Sequence, residues 1–126
     1  MVAQFPEHSE FQADPKWPQD LAALFDEAAR AYAARAFTAS AMASRKILMA
    51  CACENGDDDG KRFVEYVDYL TNHVLTFPKA RSSIDAIRGI GNDANHKIEF
   101  VSQPDAKRAL SIVSYMLNTI YALPSA

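Results

Sequence analysis

The sequence predicts an all-α domain, and three observations carry that prediction. Apolar residues recur at spacings of three and four through most of the chain, the period of one helix face. The alternation of a half-buried strand is nearly absent. Glycine is scarce, with four residues that all fall between positions 56 and 91, while alanine is abundant. A length of 126 residues is one domain's worth. At that size a domain buries roughly two thirds of the surface its unfolded chain exposes. The 49% apolar content excludes wholesale disorder.

Residues 1–17 are expected to form an extended leader that docks on the bundle through Trp17, and residues 18–126 a single helical-bundle domain. Helix one runs from about Pro18 to Ala34, because proline suits a first turn and Asp20 there meets the positive helix end. Leu21, Leu24, Phe25, Ala28 and Tyr32 make its apolar stripe. Helix two, about Ala36 to Cys53, is small or apolar almost all round and is therefore expected at the centre. Arg45 and Lys46 must then reach an edge or find partners, since buried unpaired charge is costly. Asn55 to Gly60 reads as a loop, and helix three follows from about Lys61 to Leu75. Pro78 opens a fourth, short piece in which Ile84, Ile87 and Ile90 are spaced by three, and Gly91 is expected to break it. Helix five spans about Pro104 to Leu123, with Ser102 or Gln103 before its first turn and Asp105 placed for the dipole. It is apolar on two sides, so it is either deeply buried or a dimer seam. The expected architecture is thus a bundle of four long helices plus a short helical or irregular segment around 78–96.

A formal net charge of -3 argues against a general nucleic-acid coat, which carries a basic excess. The longest apolar run, Ile47 to Cys53, is far short of a membrane span. No basic stretch followed by an apolar core opens the chain, and a cytoplasmic, reducing setting is expected. Cys51 and Cys53 point about 200° apart on a helix, which disfavours a bridge, and they lack zinc-site spacing. Asp57, Asp58 and Asp59 are consecutive, whereas a calcium loop alternates its ligands, so a solvated turn is the better reading. No metal and no cofactor is expected.

The segment Ile87-Arg88-Gly89-Ile90-Gly91-Asn92-Asp93-Ala94-Asn95-His96 is the densest run of chemistry-bearing groups. If the turn after Gly91 is helical, Asn92 and His96 share a face, and Arg88 lies one turn before Asn92. A guanidinium fork and an imidazole facing one pocket suit a phosphate or carboxylate, and an imidazole near neutrality also moves protons. The structural alternative is equally concrete: Arg88 pairs with Asp85 or Asp93, Asn92 caps, and His96 bonds a backbone carbonyl. Lys79, Arg81, Arg88 and Lys97 crowd the same region, a local positive patch that would steer an anion toward it.

On these residues the chain resembles the domain-of-unknown-function family numbered four-one-four-five. Leu24-Phe25-Asp26-Glu27-Ala28 is similar to the family's first helix, and Ala43-Ser44-Arg45-Lys46-Ile47-Leu48 to its arginine-bearing second. Ala106 to Tyr121 is similar to its last. The resemblance implies a bundle of the HEPN superfamily, whose members often dimerise and many of which serve restriction, toxin–antitoxin or other anti-phage systems. It implies a metal-independent ribonuclease as one function. In that reading Arg88 stabilises developing phosphorane charge and His96 is the general acid or base. Asn92, Asp93, Arg45, Lys79, Arg81 and Lys97 are the surrounding ligand-binding or structural candidates. The gap between Arg88 and His96 is longer than in active HEPN nucleases. The leading expectation is therefore a non-catalytic interaction or regulatory module. The alternatives are the ribonuclease and an anion or nucleotide sensor. The expected partners are a second copy, with helix five or the Arg88–His96 segment near the seam, and a protein or RNA.

Overall fold

The computed structural model describes residues 11–75, 79–96 and 100–122, with the backbone alone at 91–96. Five helices follow one another: α1 (Gln19–Ala33), α2 (Phe37–Glu54), α3 (Phe63–His73), α4 (Ala80–His96) and α5 (Gln103–Leu117). A π-helical turn, Asn118–Ala122, prolongs α5. No strand occurs among the described residues. The all-α bundle is therefore as the sequence predicts. No helix among the described residues is long and apolar enough to cross a membrane.

Pro18 stands immediately before α1, with Asp20 in the first turn and Arg30 in the last, both favourable to the helix dipole. Arg35 then takes a φ of 66°, and this left-handed residue reverses the chain within three positions. The reversal lays α2 against α1. Ser40 and Ser44 are fully buried on α2, where the Ser40 hydroxyl donates to the Ala28 carbonyl at 2.8 Å. The Ser44 hydroxyl turns back onto the Ser40 carbonyl. Short side chains whose polar ends are satisfied locally let the two helices approach closely. α2 also packs against α3, α4 and α5, which makes it the central helix.

The core gathers Leu21, Phe25, Ile47, Leu48, Leu70, Ile84, Ile87, Leu110 and Leu117 around α2. Phe11 and Trp17, ahead of α1, are buried in it, and both set ring edges against Phe25. The Trp17 indole N–H donates to Asn118 Oδ1 at 2.9 Å, which ties the segment before α1 to the π-helical turn after α5. A second tie reaches that turn from α2. The Asn55 amide donates to the Tyr121 hydroxyl at 2.8 Å, and the buried Cys51 thiol lies 4.0 Å from the same oxygen. Gly56, at φ 112°, sits where a Cβ would come within 2.8 Å of the Tyr69 hydroxyl, so the turn after α2 requires glycine there.

α4 departs from the sequence expectation. It runs for 17 residues without interruption, so Gly91 does not end a helix and Asn92 is no cap. The short piece of the expected bundle is a full helix, longer than the 11-residue α3. An interior glycine costs about 1 kcal/mol relative to alanine. Fully burying two isoleucines, Ile84 and Ile87, outweighs that cost. The start expected at Pro78 lies outside the described residues. After the link, the Val101 N–H donates to Thr38 Oγ1 at 2.9 Å, and Ser102 caps α5 by accepting from the Asp105 N–H.

Gly89 is exposed within α4 and has open space around its missing Cβ. Gly89→Ala is expected to stabilise the fold by about 0.5–1 kcal/mol, read as a higher urea midpoint. Burial pushes the Cys51 thiol up from 9.0 to about 12 and also raises the Tyr121 hydroxyl. Both groups are neutral when protonated, and the folded state holds those protons more tightly. Their contribution is complete below the ordinary thiol value of 9.0 and is lost as pH rises toward about 12. Urea midpoints are expected to fall between about pH 9 and 12, and to fall less in Cys51→Ala.

Candidate functional site

Two arginines on neighbouring helices define the site. α2 carries Arg45 on its half-exposed flank, between the buried Ser44 and Ile47 and away from the α1 contact. α4 carries Arg88, half-buried, next to the fully buried Ile87. Because α2 and α4 pack directly, the two flanks share one notch. The N-terminus of α3 supplies its third side through Phe63. The Arg45 guanidinium stacks over that ring, 4.3 Å from its centroid.

Among the described residues the notch holds two like charges and no paired counter-charge. The Arg45 pKa lies below the ordinary arginine value, first because burial disfavours the cation and second because the Arg88 charge repels it. Arg45 Nη1 is inaccessible to solvent and has no acceptor. Among the described residues no carboxylate forms an ion pair with either arginine. Buried donors are almost always satisfied, so this nitrogen is an exception among the described residues, as are the buried carboxylate oxygens Asp57 Oδ2 and Asp85 Oδ1.

The other candidates separate from this pair. Arg81 reaches across to α3, where its Nη1 donates to Asp68 Oδ1 at 2.7 Å, while its Nε donates to Asp85 Oδ2 at 3.2 Å. These carboxylates raise its pKa, the Asp68 bond foremost. Arg81 is thus a clamp between α3 and α4. Asp85 is engaged by Arg81, so it is not the partner of Arg88 that the sequence offered. Lys79 is exposed just before α4, about 14 Å along the helix axis from Arg88. Asn92, Asp93 and His96 are on the α4 backbone, but their side chains lie outside the described residues, as does all of Lys97. On a continuous helix position 96 is about 12 Å along the axis from position 88 and about 80° around it. Position 92 is half as far along and about 40° around.

Other chemistry-bearing groups are placed for packing or for solvent. A thiol raised to about 12 is protonated at neutral pH, so Cys51 is no nucleophile. Asp57 turns inward to pair with Lys61, while Asp58 and Asp59 are exposed. No group of three potential metal ligands is gathered among the described residues. Phe63 is the site residue that sequence reasoning missed, since it reads only as one member of the α3 apolar stripe. The signal for Arg45 was present: a cation on a helix otherwise small or apolar.

The family model described as Domain of unknown function (DUF4145) matches residues 26–126. No curated protein and no solved structure gives a match. The matched range takes in most of α1 and every later helix, with Arg45, Phe63 and the Arg88-to-His96 string inside it. This chain therefore belongs to the DUF4145 family, a family of domains of unknown function.

Proposed function

We propose that this domain is a non-catalytic interaction module that holds its ligand by a phosphate or a similarly compact oxyanion seated between Arg45 and Arg88. The single observation that carries this reading is the orphaned, inaccessible Nη1 of Arg45 beside a second guanidinium. An oxyanion offsets both costs at once. It meets the accessible edges of the two half-buried guanidinium groups, a small shift of the Arg45 side chain brings Nη1 within its reach, and its charge cancels the repulsion between the arginines. Phe63 holds the Arg45 guanidinium in plane, which limits the freedom that binding would otherwise remove.

Binding without cleavage is supported by the helix register. Along one continuous helix, positions 88 and 96 are too far apart around and along the axis to converge readily on one phosphorus atom. The acidic balance of the chain, -3, favours a single phosphate over a long polyanion. A setting in a defence system, implied by the family resemblance, fits a module that reads one charged group on a partner. Two free thiols, one fully buried, suit the reducing cytoplasm.

Inorganic phosphate and ATP, titrated separately, are expected to raise the melting temperature by mass action, and less so as salt rises. Arg88→Gln is expected to start a few degrees higher in anion-free buffer, because it relieves about 0.5–1 kcal/mol of repulsion, and then to show no anion-induced rise. Unchanged anion-induced rises in both Arg88→Gln and Arg45→Gln would remove the basis of the reading. RNA cleavage in EDTA that disappears in His96→Ala would replace it with the ribonuclease.

A further inference from the structure

A groove of about 1000 Å³ runs along the outward side of α1, with residues 11–13 as its opposite wall. Its helical wall includes Ala22, Ala23, Asp26, Arg30, Ala33 and Ala34, together with Gln19 and Ala29. The inward side of the same helix is committed to the core through Leu21, Phe25 and Ala28. The order of the groove residues along α1 is self-complementary. On a helix Ala22 and Ala33 lie about 20° apart and mark one edge of the wall, and Ala23 and Ala34 mark the other edge with the same separation. Asp26 and Arg30 lie between the edges, one turn apart, and pair with each other at 2.9 Å.

We propose that this groove is an interface for a second copy of this chain, with the two α1 helices packed antiparallel about a twofold axis at the level of Ala28. Reversing the helix about that level carries six of the lining residues onto one another, while Gln19 falls beyond the partner's helix end. Ala22 meets the partner's Ala33, Ala23 meets the partner's Ala34, and Asp26 meets the partner's Arg30. The same contacts repeat by symmetry, as an isologous interface requires. Alanine against alanine permits a close helix approach. The central charges form an alternating square of two acids and two bases in place of two separate exposed pairs. A parallel arrangement would set Asp26 against Asp26 and Arg30 against Arg30, so charge alone selects the antiparallel one. The seam lies on α1, apart from the Arg45–Arg88 notch, and does not depend on the function proposed for that notch.

The side chains of Arg30 and Asp26 are 81% and 56% exposed, so both can be reversed without disturbing the core. Sedimentation or light scattering of the full chain is expected to show a concentration-dependent dimer. Asp26→Arg alone and Arg30→Asp alone are each expected to weaken it at least tenfold, with helix content retained by circular dichroism. An equimolar mixture of the two variants is expected to form heterodimers, since each reversed charge then meets its opposite. The double variant Asp26→Arg/Arg30→Asp is expected to recover the homodimer. A wild-type chain that stays monomeric to about 1 mM overturns the proposal. So does a dimer that either single reversal leaves unchanged, or a loss that neither the mixture nor the double variant repairs.

Discussion

The distance at which α2 can sit from its neighbours governs the rest of the molecule. Ser40 and Ser44 are buried on the small-residue side of α2, and Ala41 packs with Val101 and Ala106. The hydroxyl of Ser40 reaches the α1 carbonyl at Ala28, so the contact is directional as well as close. Interiors are packed to crystal-like density and do not absorb added volume without displacement. With α2 held in this position, its other faces meet α3, α4 and α5 together. The flank that remains between α2 and α4 is where Arg45 comes under the influence of Arg88.

Much of this arrangement was legible in the sequence, because the helices obey one period. The stripes through Leu21 and Phe25, through Ile84 and Ile87, and through Leu110, Val113 and Leu117 are the buried ones. Ser102 is the cap of α5 that its position before Pro104 suggested. The reading failed where a weak local preference opposed tertiary burial. Gly89 and Gly91 favour a break by about 1 kcal/mol each, yet the isoleucines of the same helix are sequestered against the core and the helix continues. The π-helical turn after Leu117 left no compositional trace either. Its anchors, Trp17 and Asn55, are distant in the chain, and only the folded structure brings them to Asn118 and Tyr121.

The candidate site was legible in part, and for a related reason. Arg81 and Arg88 look alike as sequence: both are arginines on one helix with Asp85 between them. What separates them is Asp68, on another helix, which binds Arg81 and thereby engages both the clamp and its nearest acid. Arg88 is left facing Arg45, 43 positions away in the numbering. A cation kept partly buried beside another cation lowers the stability of the fold.

The link between Trp17 and Asn118 has a further consequence for how the domain fits into longer polypeptides. Lys16 adds to it by donating to the Ala122 carbonyl at 3.5 Å. The strand of chain entering the bundle and the strand leaving it therefore pass through the same pole. A bundle with adjoining entry and exit behaves as a cassette: spliced into a surface loop of another protein, it would part the host's backbone only slightly. By the same geometry, joining position 16 to position 122 through a short linker and opening the chain elsewhere would preserve the packing.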